Sequence, residues 1–120
     1  MSLPDWTREF PGAITQCNAD GIILSMNERA IETFAADGGA DLIGRNVLDC
    51  HPEPSRSQLA KMLVDQSSNL YTIEKAGKKK LIAQLPWYEN GTYAGIVELS
   101  LELPLDMPHF IRDPKPAQET

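Results

Sequence analysis

The residues with the greatest capacity for chemistry lie together in one stretch of the sequence. His51 is followed by two serines, Ser55 and Ser57, and is flanked by the carboxylates Asp49 and Glu53. A serine nucleophile needs a base, and His51 is the imidazole nearest to these serines in the sequence. The pattern supplies no third group to orient that imidazole. The two carboxylates flank a predicted helix start, where negative charge complements the helix dipole.

Other catalytic and metal-binding patterns do not occur in the sequence. It has no G-x-S-x-G elbow, no phosphate-binding glycine loop and no H-E-x-x-H pair. The two cysteines, Cys17 and Cys50, form no C-x-x-C pair. We therefore expect neither an enzyme nor a metal site, and we predict reduced thiols in a cytoplasmic protein.

Composition narrows the class of protein further. A chain of 120 residues with 42% apolar and 23% charged residues fits one soluble globular domain. The net charge of -6 argues against a nucleic-acid partner, because such surfaces are basic. The dense positive run Lys78-Lys79-Lys80 is predicted to be a solvated strand edge. No stretch approaches the roughly 20 apolar residues of a membrane span, so we expect no membrane partner.

The first part of the chain predicts a lead-in segment and a hairpin. Residues 4–10 indicate a short helix that Pro11-Gly12 ends. Residues 13–17 and 22–25 are short apolar strands, and Asp20-Gly21 is a strong tight-turn pair between them.

Short helices are predicted next. Asn27 is a good N-cap for a first helix, which Gly38-Gly39 should end. Residues 41–50 suit one or two helical turns. Ser55 and Gln58 fit a capping box at the start of a second helix with an apolar stripe.

The rest of the domain predicts three strands. Residues 70–75 and 79–88 read as strands around an Ala76-Gly77 turn, and Pro86 implies a bulge or an edge position. Asn90-Gly91 is the strongest hairpin signal and would pair Tyr88 with Tyr93. In the final strand apolar residues alternate with Glu98, Ser100 and Glu102, which predicts one buried and one solvated face. The apolar set is Val97, Leu99, Leu101 and Leu103.

This order of elements predicts an α+β domain. Its sheet would be five-stranded and antiparallel, with the short helices packed on one face. We predict a lead-in segment at residues 1–12, the domain at 13–103 and an extended proline-rich tail at 104–120.

The order also resembles that of PAS domains, a family of small sensor and signalling modules. The run from Asn18 to Asn27 is similar to the family's opening hairpin and first helix. Residues 42–46 look like its central helical segment, 51–56 like the start of its long helix, and 87–97 like its last hairpin. The resemblance implies the PAS fold and a role as a sensor or interaction module.

PAS domains often hold a ligand between the helices and the sheet, and the resemblance allows two cofactors to be checked. Flavin-binding light sensors carry a Cys after Gly-Arg-Asn, whereas Val47 follows Gly44-Arg45-Asn46 here. Their last strand carries a Gln, whose matching position we assign to Val97. Haem-binding members carry an iron-ligating His where this chain has Leu59. We therefore expect neither flavin photochemistry nor haem, although His51 remains an alternative iron ligand.

What the resemblance leaves is an apolar pocket, with the alternative that the same side chains simply fill the core. Cys50 and His51 lie beside it in the sequence, and Tyr71, Gln84 and Trp87 are candidate polar groups. The apolar candidates are Phe34, Val47, Leu59, Met62, Leu63, Val97 and Leu99.

Three functions follow from these observations. The first is a cytoplasmic PAS-type sensory domain that binds a small apolar ligand or a signalling-protein partner. The second is a ligand-free homodimerisation or docking module that uses Trp6, Phe10 and the outer face of the sheet. The third is a haem-based sensor that uses His51.

Overall fold

The secondary structure follows the predicted order of two strands, short helices and three strands. The computed structural model describes residues 3–114, so the outermost parts of the predicted lead-in segment and tail lie outside the described residues. The strands are β1 (Ala13–Asn18), β2 (Ile23–Met26), β3 (Asn69–Lys75), β4 (Lys78–Glu89) and β5 (Thr92–Leu103). The α-helices are α1 (Glu28–Thr33) and α2 (Ser55–Asp65). Short 3₁₀ turns occupy Asp5–Thr7, Ala35–Asp37, Gly39–Leu42 and Val47–Cys50.

The five strands form one antiparallel sheet in the order β2-β1-β5-β4-β3. The helical segment, residues 28–65, covers one face of this sheet, which we call the inner face. Buried side chains of α1 and of β1 and β2 share one apolar cluster there, and Leu59 and Met62 of α2 pack with Ile96 of β5 in another. The predicted α+β architecture is confirmed.

Both predicted tight hairpins form as their turn residues require. The Asn18 side chain accepts hydrogen bonds from the amides of Asp20 and Ile22, at 3.0 and 2.9 Å, which closes the first turn. In the last hairpin Asn90 and Gly91 have φ of 53° and 81°, the left-handed pair that a two-residue loop demands. Tyr88 and Tyr93 pair across it as predicted, with ring centroids 6.2 Å apart.

A bulge in β2 lets two of its apolar residues face inward although they are three positions apart. Ile23 pairs with Cys17 and Met26 pairs with Thr15, so the register shifts between the two pairs. An extra residue in one strand reverses the alternation of side chains. Ile23 and Met26 therefore both reach the inner cluster.

Asn27 is the predicted N-cap of α1 and also joins three parts of the fold. Its Oδ1 accepts from the amides of Ala30 and Ile14, at 3.0 and 2.9 Å. Its Nδ2 donates to the carbonyls of Thr7 and Gly12, at 2.9 and 2.8 Å. The side chain is buried, so it fixes the lead-in segment and β1 against α1.

The predicted capping box at α2 is wrong. Ser55 is already helical, and Pro54, which precedes it, provides no side-chain cap. The carboxylate of Glu53 instead accepts from the amide and the hydroxyl of Ser57, at 2.8 and 2.6 Å. A carboxylate before the first turn satisfies a free amide and complements the helix dipole in place of the serine.

The first helix is shorter than predicted, because the 3₁₀ turn Ala35–Asp37 separates α1 from Gly38-Gly39.

Pro86 lies in β4 at a point where β3 no longer pairs with it. The pairing of β3 with β4 ends at Asn69 and Gln84, two residues before Pro86. A register shift follows between Trp87 and Tyr88. The predicted edge position and bulge are therefore both present.

The predicted orientation of the last strand is wrong. Glu98 pairs with Thr15 and with Gln84, and these side chains line the space beneath the helices. Successive side chains of a strand alternate between faces, so Val97 and Leu99 lie on the opposite, outer face. The lead-in segment comes close to this outer face, because a Cβ added at Gly12 would lie within 3.1 Å of Phe10 and against Leu101.

Candidate functional site

A cavity of about 410 Å³ lies between the helical segment and the inner face of the sheet. Its walls come from β1, β2, β3, β4 and β5 on one side and from residues 34–51 on the other. The apolar side chains that line it include Ile23, Met26, Phe34, Leu42, Ile73 and Ile82.

The helical wall of the cavity is fastened to β2. Ile23 donates to the carbonyl of Arg45 at 2.9 Å and accepts from the amide of Gly44 at 2.8 Å. The amide of Val47 donates to the carbonyl of Gly21 at 2.7 Å. On the β3 side the bordering residues are more exposed, with Tyr71 at 43% and Ile73 at 37%. The cavity is therefore firmly closed at β2 and more open at β3.

A chain of polar side chains crosses the inner face beside the cavity. Asn69 donates from Nδ2 to Oε1 of Gln84 at 3.1 Å, and Gln84 donates from Nε2 to Oε1 of Glu98 at 2.9 Å. Each member belongs to a different strand, and Glu98 borders the cavity. Both polar atoms of the Gln84 amide are thus used to orient the carboxylate.

The environment of the inner face raises the pKa of two weakly acidic side chains. Burial, together with the charge of Glu98, raises the pKa of Tyr71 above its ordinary value. Burial is also the largest cause that raises the pKa of the Cys17 thiol to about 12, and Glu98 adds to it. Cys17 is therefore an inert core residue, because only a thiolate is a strong nucleophile.

His51 lies where the cavity meets a neighbouring polar pocket of about 360 Å³. Its Nδ1 is 2.8 Å from the carbonyl oxygen of Val47. Because a carbonyl oxygen only accepts hydrogen bonds, Nδ1 is the donor in this contact. The pocket also brings Ser55 near His51, while Ser57 is bonded to Glu53.

Within residues 3–114, no three His, Cys, Asp or Glu side chains are grouped so that they could hold a metal ion. Across the same residues, neither helix has the length and apolar character to cross a membrane.

Comparison with known proteins gives structural neighbours only. No family model matches the chain, and no curated protein sequence matches it significantly. Among solved structures it is similar to the PAS domain of BvgS from Bordetella pertussis, with 14% identity, a TM-score of 0.60 and 82% of each chain covered. It is also similar to a sensory box sensor histidine kinase from Vibrio cholerae, with 18% identity and a TM-score of 0.59 over 84% of this chain and 89% of the other.

A third neighbour is the Aer2 receptor of Vibrio cholerae, described as a dual PAS-haem oxygen sensor. It is 17% identical, with a TM-score of 0.56 over 78% of this chain and 95% of the other. The chain has the PAS fold. This agrees with the resemblance seen in the order of its sequence motifs.

Five of the predicted pocket residues line the cavity of this PAS fold. They are Phe34, Val47, Cys50, His51 and Tyr71.

Four other predicted residues lie next to the cavity. Leu59 and Gln84 border the adjoining polar pocket. Met62 is buried with Leu59, and Leu63 packs against the same cluster.

Three predicted residues lie elsewhere. Val97 and Leu99 are on the outer face, because the alternation of β5 turns Glu98 inward. Trp87 donates from Nε1 to the carbonyl of Cys17 at 2.8 Å, so its polar group holds β4 against β1. This bond crosses β5 beside Gly95, which is the strand partner of Trp87.

Several lining residues were not predicted from the sequence. Thr15, Ile82 and Glu98 face the cavity only because of the register of β1, β4 and β5. Asp37 and Arg45 border it from the turns between the helices. The sequence contained a signal for Glu98 in the alternation of the last strand, since the polar residues of a half-buried strand can face a binding cavity as well as solvent.

Proposed function

We propose that this chain is a sensory or signalling module that binds a small, largely apolar ligand between its helical segment and its sheet. The cavity of about 410 Å³ carries this proposal. Its volume lies in the lower part of the range of roughly 300–1,000 Å³ for small-molecule sites, and its lining is largely apolar. The neighbours of the same fold, which include sensor histidine kinases, support a signalling role.

The proposed mechanism is a shift between two arrangements of the helical segment. Residues 44–47 are fastened by backbone bonds to β2 and to the turn that precedes it, whereas the β3 side of the cavity is bordered by exposed side chains. A ligand that touches both walls would favour the arrangement in which they lie close together. Such a shift requires that the ligand bind one arrangement more tightly than the other.

A ligand screen tests this function. Thermal unfolding with a panel of small apolar compounds should reveal compounds that raise the midpoint, because a ligand of the native state stabilises it. Native mass spectrometry should show one bound molecule per chain. Ile82→Phe, which narrows the cavity, should abolish binding, and the matched variant Leu81→Phe on the outer face should not. Failure of every compound to bind would contradict the proposal.

We propose binding without catalysis, in a cytoplasmic setting. The hydroxyl of Ser57 is bonded to Glu53, and Nδ1 of His51 faces a backbone carbonyl, which supports structural roles for both. The two cysteines are free thiols, which supports a reducing compartment.

Haem is a less favoured ligand, because the side chains that line the cavity carry mainly negative charge. Its two propionates would meet Glu98, Asp37 and Asp49, and among the described residues that line the cavity Arg45 alone carries a guanidinium or ammonium group. Titration with haem tests this directly. A Soret band that forms with the native chain and is lost in His51→Ala would overturn our preference.

A second candidate function, homodimerisation, is favoured by the outer face of the sheet. This face carries partly buried leucines and valine on two central strands, and Trp6 beside Phe10 in the lead-in segment is 67% exposed. The outer set is Leu81, Leu85, Val97, Leu99 and Leu101. Light scattering should then show a dimer that Trp6→Ala weakens and Tyr88→Ala, an exposed aromatic at the hairpin, does not. A monomer at every concentration would contradict it.

A further inference from the structure

Glu98 is a carboxylate on the inner face with spare capacity to accept hydrogen bonds. It is partly buried and borders the cavity. Its Oε1 accepts one bond, from Gln84, and no other side chain among residues 3–114 bonds to it. None of the ion pairs found in this range includes it. Removing a carboxylate from bulk water is unfavourable unless a donor or a cation compensates it.

The network around Glu98 holds it towards the cavity. The Gln84 amide is fixed at both ends, since its oxygen accepts from Asn69 while its nitrogen donates to Glu98. Gln84 therefore cannot rotate to accept from a ligand without losing a bond. Glu98 is the member of this network that borders the cavity, and its second carboxylate oxygen is free to accept, so a ligand must bring the donor.

The remaining charges around the cavity favour a cation. Asp37 and Asp49 border it together with Glu98, against one guanidinium, that of Arg45. Asp49 is 3.7 Å from Arg56 outside the cavity, whereas no such partner within residues 3–114 compensates Glu98. The rings of Phe34 and Tyr71 also border the cavity, and aromatic faces attract cations.

We propose that the ligand is a small amphipathic amine, whose ammonium group donates to Glu98 and whose apolar body lies against Ile23, Met26 and Ile82. This rests on the proposed function, because it specifies the ligand of the same cavity. A charged donor facing a carboxylate makes a stronger bond than a neutral one. The body of the ligand would replace water against the apolar lining.

Three probes with the same carbon chain separate the contributions of charge and apolar contact. These are hexylamine, hexanol and hexanoate, measured by isothermal titration calorimetry on the native chain. Hexylamine should bind about tenfold or more tightly than hexanol, the usual gain for a hydrogen bond to a charged group. Hexanoate should bind most weakly, because its carboxylate would approach Glu98.

Two matched variants locate the effect. Glu98→Gln should reduce the affinity for hexylamine about tenfold or more and leave that for hexanol nearly unchanged. Glu102→Gln, on the same strand but exposed and 3.7 Å from Lys78, should change neither. Equal loss in both variants would overturn the assignment to Glu98. If Glu98→Gln fails to fold, the preference of the native chain among the three probes decides.

The outcomes distinguish this inference from the function on which it rests. Hexanol binding as tightly as hexylamine, with both lost in Ile82→Phe, would overturn the amine and leave the cavity as a ligand site. No binding by any of the probes, or by the wider apolar panel, would overturn the proposed function and the inference together.

Discussion

Gln84 and Glu98 face each other across neighbouring strands and are joined by a hydrogen bond of 2.9 Å from Nε2 to Oε1. The pair lies on the inner face, so the strand that carries most of the alternating leucines directs a carboxylate at the helices. This relationship places a carboxylate beside the apolar side chains on the sheet side of the cavity. The charge of this carboxylate also contributes to the raised pKa of Tyr71.

Glu98→Gln should lower the pKa of Tyr71, because the negative charge of Glu98 helps to raise it. The pKa should stay above that of an exposed tyrosine, since burial is the larger cause. Carbon-13 NMR of the tyrosine ring across the alkaline range measures it. Glu102→Gln is the control and should leave Tyr71 unchanged. An unchanged Tyr71 in Glu98→Gln would mean that the two groups do not interact.

Asn27→Ala should lower the free energy of unfolding by about 2–4 kcal/mol, since it removes a cap and leaves buried backbone groups without partners. The side chain makes four hydrogen bonds to three parts of the fold. Asn46→Ala is a matched control, because Asn46 also caps a turn but is less buried. It should cost about 0.5–1 kcal/mol in urea denaturation. Equal losses would contradict a joining role for Asn27.

Gly95→Ala should cost about 3 kcal/mol or more, because both the backbone angle and the space exclude a side chain. Gly95 has φ of 141°, and an added Cβ would overlap the backbone of Cys17 and Asn18. Gly77→Ala, at φ of 78° with nothing within 4 Å, isolates the backbone contribution at about 1 kcal/mol. Thermal unfolding compares the two. A smaller loss at Gly95 than at Gly77 would contradict this close approach of β1 and β5.

Glu53→Gln should destabilise the protein at neutral pH and lose this effect in acid. The bonds from Ser57 lower the pKa of Glu53, so the ionised form is favoured in the folded state. The resulting stability is complete above the unfolded pKa of 4.5 and is lost as the pH falls through the lower folded pKa. Urea denaturation across this window measures it. In a Ser57→Ala background the effect of Glu53→Gln should shrink, and an undiminished effect would assign it to another cause.

The features that the sequence predicted well are local. The Asp20-Gly21 turn, the Asn27 cap and the Asn90-Gly91 hairpin each depend on the conformational preferences of two or three neighbouring residues. The order of these elements was sufficient to indicate the fold. The capping box failed because a competing local group, the carboxylate of Glu53, bonds to Ser57.

The features that the sequence could not predict depend on distant pairing. Alternation in the last strand identifies two faces but not which one the helices cover. Here Val97 and Leu99 lie on the outer face, which Phe10 also approaches, and Glu98 faces inward. The apolar lining from residues such as Ile82 likewise depends on strand register. Most of the residues that line the cavity were therefore identified only in the three-dimensional structure.

The most direct test of ligand binding in the cavity is an NMR measurement of contacts between hexylamine and the isoleucine methyl groups. Intermolecular nuclear Overhauser effects should appear at Ile23, Ile73 and Ile82, which line the cavity. They should be absent at Ile14, which pairs with Leu99 on the outer face. Contacts at Ile14 without contacts at the three cavity residues would contradict a ligand site beneath the helices.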